Sequence, residues 1–228
     1  MKAAILAFLL LAATPSDEVT MTATSVNVAE PGTPVRIRIL RWSTDDERAP
    51  IVAALAPKPP QPAAAAAPNP NAATASAGGR GGARGRGGRG RGGPAAPLTP
   101  IAAFTAAIGR APTIGYIWTS DITGYSIKYA WHSPQPDGSD RIVLATNRRL
   151  GAYSDAWKPL TAEAAAKPAV GVTPADYEFT VIELRLGAKG TGEGKTSLTA
   201  KVITDGDAKT VALEDYAGTL PILQNVKR

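Results

Sequence analysis

Residues 125–147, YSIKYAWHSPQPDGSDRIVLATN, decide the fold class. In the first half, Tyr125, Ile127, Tyr129 and Trp131 alternate with Ser126, Lys128 and His132. A period of two belongs to a strand with one buried face. Pro136-Asp137-Gly138 is turn chemistry, and Asp140 to Asn147 resumes an apolar, β-branched run. So short a connection makes the two strands antiparallel neighbours.

The same signals recur outward in both directions. Upstream, 113–118 (TIGYIW) reads as a strand, ended by the turn signals Asp121 to Gly124. Further upstream, 19–28 and 35–42 alternate cleanly across the turn residues Glu30 to Pro34, so they form a hairpin. Downstream, 177–186, 195–204, 209–216 and 220–226 complete the set, with turns expected at Gly187 to Gly194 and at Asp205-Gly206-Asp207. The chain is therefore mainly β: an antiparallel up-and-down barrel or a two-sheet sandwich. Alternation does not choose between them. Arg148 to Asp176 is a long connection with one helical turn at Thr161 to Lys167, a length found in functional or irregular loops.

Two helical segments interrupt the strands. Thr44 and Glu47 have capping-box spacing, the acids Asp45, Asp46 and Glu47 suit a helix N-terminus, and Ile51, Val52 and Leu55 follow before Pro57. Helical character returns at Ile101 to Ile108, closed by Gly109. Between them, residues 57–97 are Pro/Ala-rich and Gly/Arg-rich, a composition that cannot bury enough apolar surface to offset ordering entropy. They read as a disordered insertion in the loop of a helix pair, which is inexpensive because closure entropy grows only logarithmically.

Charge is concentrated in that insertion. The chain has 25 basic and 19 acidic residues, and five of the basic ones are Arg80, Arg84, Arg86, Arg89 and Arg91 in 78–93, GGRGGARGRGGRGRGG. Without them the balance is 20 to 19. The tract resembles RGG segments, which contact polyanions while disordered. It reads as a spacer, or as a contact for anionic surface polymers. Nucleic acid is disfavoured, because no Phe or Tyr interleaves the arginines and the N-terminus signals export.

That export signal is Lys2 followed by the apolar run Ala3 to Ala13, which is too short to span a bilayer. The expected organisation is a signal peptide at 1–16 and a single β-rich domain at 17–228, periplasmic or secreted, with no transmembrane segment once the signal is removed. The chain contains no cysteine, which excludes disulfides, thiolate metal sites and a lipid anchor. About 170 residues outside the signal and insertion are ample for one core.

Several segments resemble a group of uncharacterised, signal-peptide-bearing proteins of soil bacteria. They are Arg41 to Arg48, the Gly115-Tyr116-Ile117 strand, Arg141 to Thr146, Tyr177 to Leu186 and the Gly192-Glu193-Gly194-Lys195 turn. The similarity covers most of 19–56 and 98–228, and the Gly/Arg tract departs from it. The resemblance implies export and one domain, and no activity or site.

No catalytic constellation stands out. Gly187 to Thr196 has the look of a phosphate-binding loop, but Lys189 stands where that loop needs glycine and a strand follows instead of a helix. His132, the only histidine, reads as a solvated residue at a strand end. Asp205 and Asp207 read as turn residues. The aromatics Trp118, Tyr129 and Trp131 are the candidates for ligand or partner contact, with core packing as the competing role. The expected function is a non-enzymatic, exported ligand- or partner-binding module of the cell envelope, without cofactor or metal. The alternatives are a polyanion- or nucleic-acid-binding protein acting through the tract, and an exported hydrolase.

Overall fold

A computed structural model describes residues 18–56, 98–120, 122, 124–160 and 177–228. The signal segment expected at 1–16, the insertion 57–97 with its five arginines and the helical turn expected at 161–167 lie outside the described residues. The strands are β1 (Val19–Ser25), β2 (Pro34–Ile39), β3 (Gly115–Trp118), β4 (Gly124–Pro134), β5 (Asp140–Thr146), β6 (Thr180–Leu186), β7 (Thr191–Thr196), β8 (Val202–Asp205), β9 (Thr210–Leu213) and β10 (Leu223–Lys227). Eight of them close a barrel in the order β1-β10-β7-β6-β5-β4-β3-β2, and β8-β9 form a separate hairpin. The barrel is the architecture taken, because β10 pairs antiparallel with both β7 and β1 and so leaves no sheet edge.

Register explains the interior. Met21 faces Ile37, Ile37 faces Ile117 and Ile117 faces Tyr125, an apolar row across four strands. Ala130, Leu144 and Ile182 form another on the far wall. All belong to one buried cluster, so the barrel is filled by side chains.

A register shift in β4 corrects the face assigned to its aromatics. Ile127 pairs with Thr146 while Tyr129 pairs with Ala145, so Lys128 is an extra residue. The bulge reverses the alternation. Tyr125 and Ile127 point inward with Ala130, whereas Tyr129 packs on the outside.

There a second layer covers the barrel wall. Helices α1 (Asp45–Leu55) and α2 (Pro100–Arg110) pair, and with the β8-β9 hairpin they lie over β4, β5 and β6. Ile51, Leu55, Phe104 and Ile108 meet Tyr129, Val143 and Val181 in this outer core. The capping box forms as the sequence requires: Glu47 N–H donates to Thr44 Oγ1 (3.3 Å) and Thr44 N–H to Glu47 Oε2 (3.0 Å).

Two further expectations change. The turn expected over 187–194 ends at Gly190, and Gly192 and Gly194 sit inside β7. A Cβ on Gly192 would strike the Arg185 carbonyl oxygen, and one on Gly194 would lie 2.5 Å from Leu184 Cδ2. These glycines permit close approach of neighbouring strands. The strand expected over 195–204 is consequently split between β7 and β8. The connection after Arg148 closes one barrel end: Leu150 and Trp157 join the interior cluster, Gly151 N–H donates to the Tyr125 hydroxyl (3.0 Å), and Val28 bridges Pro159.

Candidate functional site

Where the second layer stops, the outer wall of β1, β2 and β3 faces solvent. Period two puts Thr20 and Thr22, Arg36 and Arg38, and Tyr116 and Trp118 on that face, while Met21, Ile37 and Ile117 fill the interior. Pairing aligns them in two rows: Thr20, Arg38 and Tyr116, then Thr22, Arg36 and Trp118. The Tyr116 and Trp118 rings have centroids 5.5 Å apart, tilted by 36°. Tyr116 is 39% exposed, a large share for an aromatic on a strand. Gly124 lies opposite Trp118, and a Cβ there would come within 3.3 Å of the indole Nε1. Glycine thus leaves room for the indole along the sheet. Thr20, Arg36, Ile37, Arg38 and Trp118 border a recess of about 240 Å³.

Arg38 also holds the carboxylate of Glu18 as a fork, with Nε 2.7 Å from Oε1 and Nη2 3.2 Å from Oε2. The hydrogen bonds from Arg38 keep the Glu18 carboxyl below the usual carboxylate range. Such a surface offers two ring faces, a forked cation and threonine hydroxyls side by side. It can stack a flat or pyranose ring and pair its acidic substituent.

A charged network lies further round the wall. The Glu183 carboxylate is fully buried and accepts from Arg141 Nε (2.9 Å), Arg185 Nη2 (3.0 Å) and the Leu213 backbone N–H (3.3 Å). Arg141 also pairs with Asp205 Oδ2 at 2.7 Å, fixing the β8-β9 hairpin to the barrel. The Asp205 carboxyl is held low first by the Ala208 N–H and then by Arg141. Tyr216 is gripped between Arg185, 3.7 Å from its ring centroid, and Lys195 at 4.4 Å. Burial pushes the Tyr216 hydroxyl pKa up. The network ties the barrel wall to the β8-β9 layer.

The open rim of the barrel corrects the reading of His132. It follows Ala130 on the inward side of β4, its ring stacks on Trp42 at 4.1 Å, and Nδ1 stands 3.6 Å from Asp140 Oδ1. Neither of those two atoms has a hydrogen-bond partner. Asp140 Oδ2 accepts from Arg228 Nη1 at 3.2 Å. Ser43 and Ala130 exchange hydrogen bonds that bring Trp42 beside the strand. Asp140 further borders a groove of about 520 Å³ with Gln135, Ser139, Arg141, Arg185, Leu186 and Gly187.

The sequence candidates are not gathered in one place. Trp118 is on the exposed face. Tyr129 is fully buried beneath the helices, with its hydroxyl bonded to Thr210. Trp131 is half-buried under the Arg141 guanidinium, 5.7 Å from its centroid. The five tract arginines lie outside the described residues. Sequence reading missed Arg36 and Arg38 as partners of Trp118, although the outward positions of 35–42 already carried them. It also missed Glu183, which the alternation places opposite Ile182 and Leu184. Among the described residues, no group of three or more His, Asp or Glu side chains is placed to hold a metal ion, and no helix is long and apolar enough to cross a membrane.

No family model, curated protein or solved structure matches this chain.

Proposed function

We propose that this protein is an exported, non-enzymatic binding module of the cell envelope, and that the outer face of β2 and β3 is where it holds a glycan. The observation that supports this most is the Tyr116 and Trp118 pair, solvent-facing on β3, a strand whose other side packs a filled barrel. A rigid sheet presents these rings without ordering cost on binding. The filled interior directs a small molecule to the outside, where the recess beside Trp118 lies.

Affinity electrophoresis against a panel of soluble polysaccharides tests the reading. Trp118→Ala should lose retardation by at least one of them, with an unchanged melting temperature. Retention of full binding by Trp118→Ala and Tyr116→Ala would overturn it.

A second reading, an exported hydrolase, is favoured by one observation: His132 beside Asp140 at the rim of a groove. An ester-hydrolysing activity lost in both His132→Ala and Asp140→Asn would put that reading first.

A further inference from the structure

Arg38 is already occupied, and its occupant describes the ligand. Both oxygens of the Glu18 carboxylate lie on its fork, at 2.7 and 3.2 Å. Both partners remain substantially open to water, at 49% and 34%. Pairs this exposed are weak and exchangeable. Arg38 also shares its row with Tyr116, and Arg36 its row with Trp118. A second carboxylate that displaced Glu18 would therefore bring its own ring over the aromatic pair.

We propose that the glycan held on this face is acidic: a polysaccharide of uronate rings whose carboxylate replaces Glu18 on Arg38, so that Glu18 is a built-in competitor. This rests on the glycan-binding reading above and adds the ligand class and its regulation. Charge complementarity carries it, since two arginines stand in the two rows of the aromatic pair. A neutral glucan would stack on the rings and leave the guanidinium bound to Glu18. A uronate satisfies both, and bidentate pairing with arginine fixes the ring orientation.

The test titrates the full chain with an oligogalacturonate, a neutral gluco-oligosaccharide of equal length and poly-glutamate, at about 0.15 M salt, where distant charges are screened. Wild type, Glu18→Gln, Arg38→Gln and Trp118→Ala are compared by calorimetry, with melting temperature as the fold control. The Gly/Arg tract is common to all four, so differences report the sheet face. Glu18→Gln should bind oligogalacturonate about two- to fivefold more tightly, the range set by losing a competing surface pair. Arg38→Gln should lose that gain together with most of the preference for uronate over the neutral oligosaccharide. Three results would overturn the inference: no tightening in Glu18→Gln, equal affinity for neutral and acidic oligosaccharides, or poly-glutamate tightened as much as the uronate. In the first two, loss of binding in Trp118→Ala would leave the glycan-binding face standing. Unchanged binding in Trp118→Ala would remove the face itself.

Discussion

Arg141 and Glu183 are diagonal neighbours across β5 and β6, with Nε 2.9 Å from Oε1 and the carboxylate withdrawn from solvent. Arg141 also reaches Asp205, and Glu183 accepts from the Leu213 N–H, so the pair joins the barrel to the β8-β9 hairpin. Breaking a buried pair from one side leaves a charge without compensation, which costs about 3–5 kcal/mol. Arg185 still touches Glu183, placing Arg141→Ala near the lower end of that range. Arg38→Ala, which removes an exposed, solvent-screened pair, should leave stability close to that of the wild type. Urea unfolding of both variants checks the contrast. The double variant Arg141→Leu, Glu183→Leu should recover much of the loss, because packing replaces the unpaired charge.

Acid should loosen the start of α1. Arg41 grips Glu47 with two bonds of 2.7 Å, and the Thr44 N–H adds a third. Chiefly through the Arg41 hydrogen bonds, the Glu47 carboxyl falls from 4.5 to about 2. A depressed carboxyl contributes stability above its unfolded value and loses it as pH falls through the folded one. The melting-temperature gap between wild type and Glu47→Gln should therefore be full at neutral pH and close towards about pH 2. Thr44→Ala removes the cap hydroxyl and should cost about 1 kcal/mol, measurable by the same unfolding curves.

How much of this was legible depends on which interactions are local. Alternation in 19–25 and 35–39 identified strands and their apolar faces, the apolar run at 140–146 identified another strand, and Thr44 with Glu47 fixed a helix start. Barrel closure was not legible, since it rests on β10 pairing with β1 from opposite ends of the chain. Nor was the β4 bulge, because one extra residue at Lys128 leaves composition unchanged while reversing every later side chain. His132 was misread for that reason: it continues the inward row of Ala130 and meets Trp42 and Asp140 only through tertiary contacts. Trp118 was recognisable as a candidate, but its arginine neighbours became visible only with the β2–β3 register.

The helix pair should survive removal of its insertion. Leu55 and Ile51 of α1 pack with Phe104 and Ile108 of α2, and all four are buried against the β4–β6 wall. Replacing 57–97 by a six-residue Gly/Ser linker shortens the loop by about sevenfold, which lowers closure entropy by about 1–2 kcal/mol. The shortened protein should melt cooperatively at an equal or higher temperature. Loss of the cooperative transition would show that the insertion contributes to the core.

Long-range attraction to anionic surfaces should come from the tract and specificity from the sheet face. Outside 78–93 the formal balance is 20 basic to 19 acidic residues, too even to attract a polyanion across a Debye length of about 8 Å at physiological salt. The five tract arginines supply the remaining charge, and neutralising five phosphates of a single strand gives a log–log salt slope of at most about −3.5. Heparin and single-stranded DNA binding by the protein with and without 78–93, followed over a salt series, separates the two contributions. Deletion should flatten the slope for both polymers and leave the Trp118-dependent binding of an oligogalacturonate in place. Equal slopes in the two proteins would make the tract a spacer and assign all polymer contact to the face formed by Arg36, Arg38, Tyr116 and Trp118.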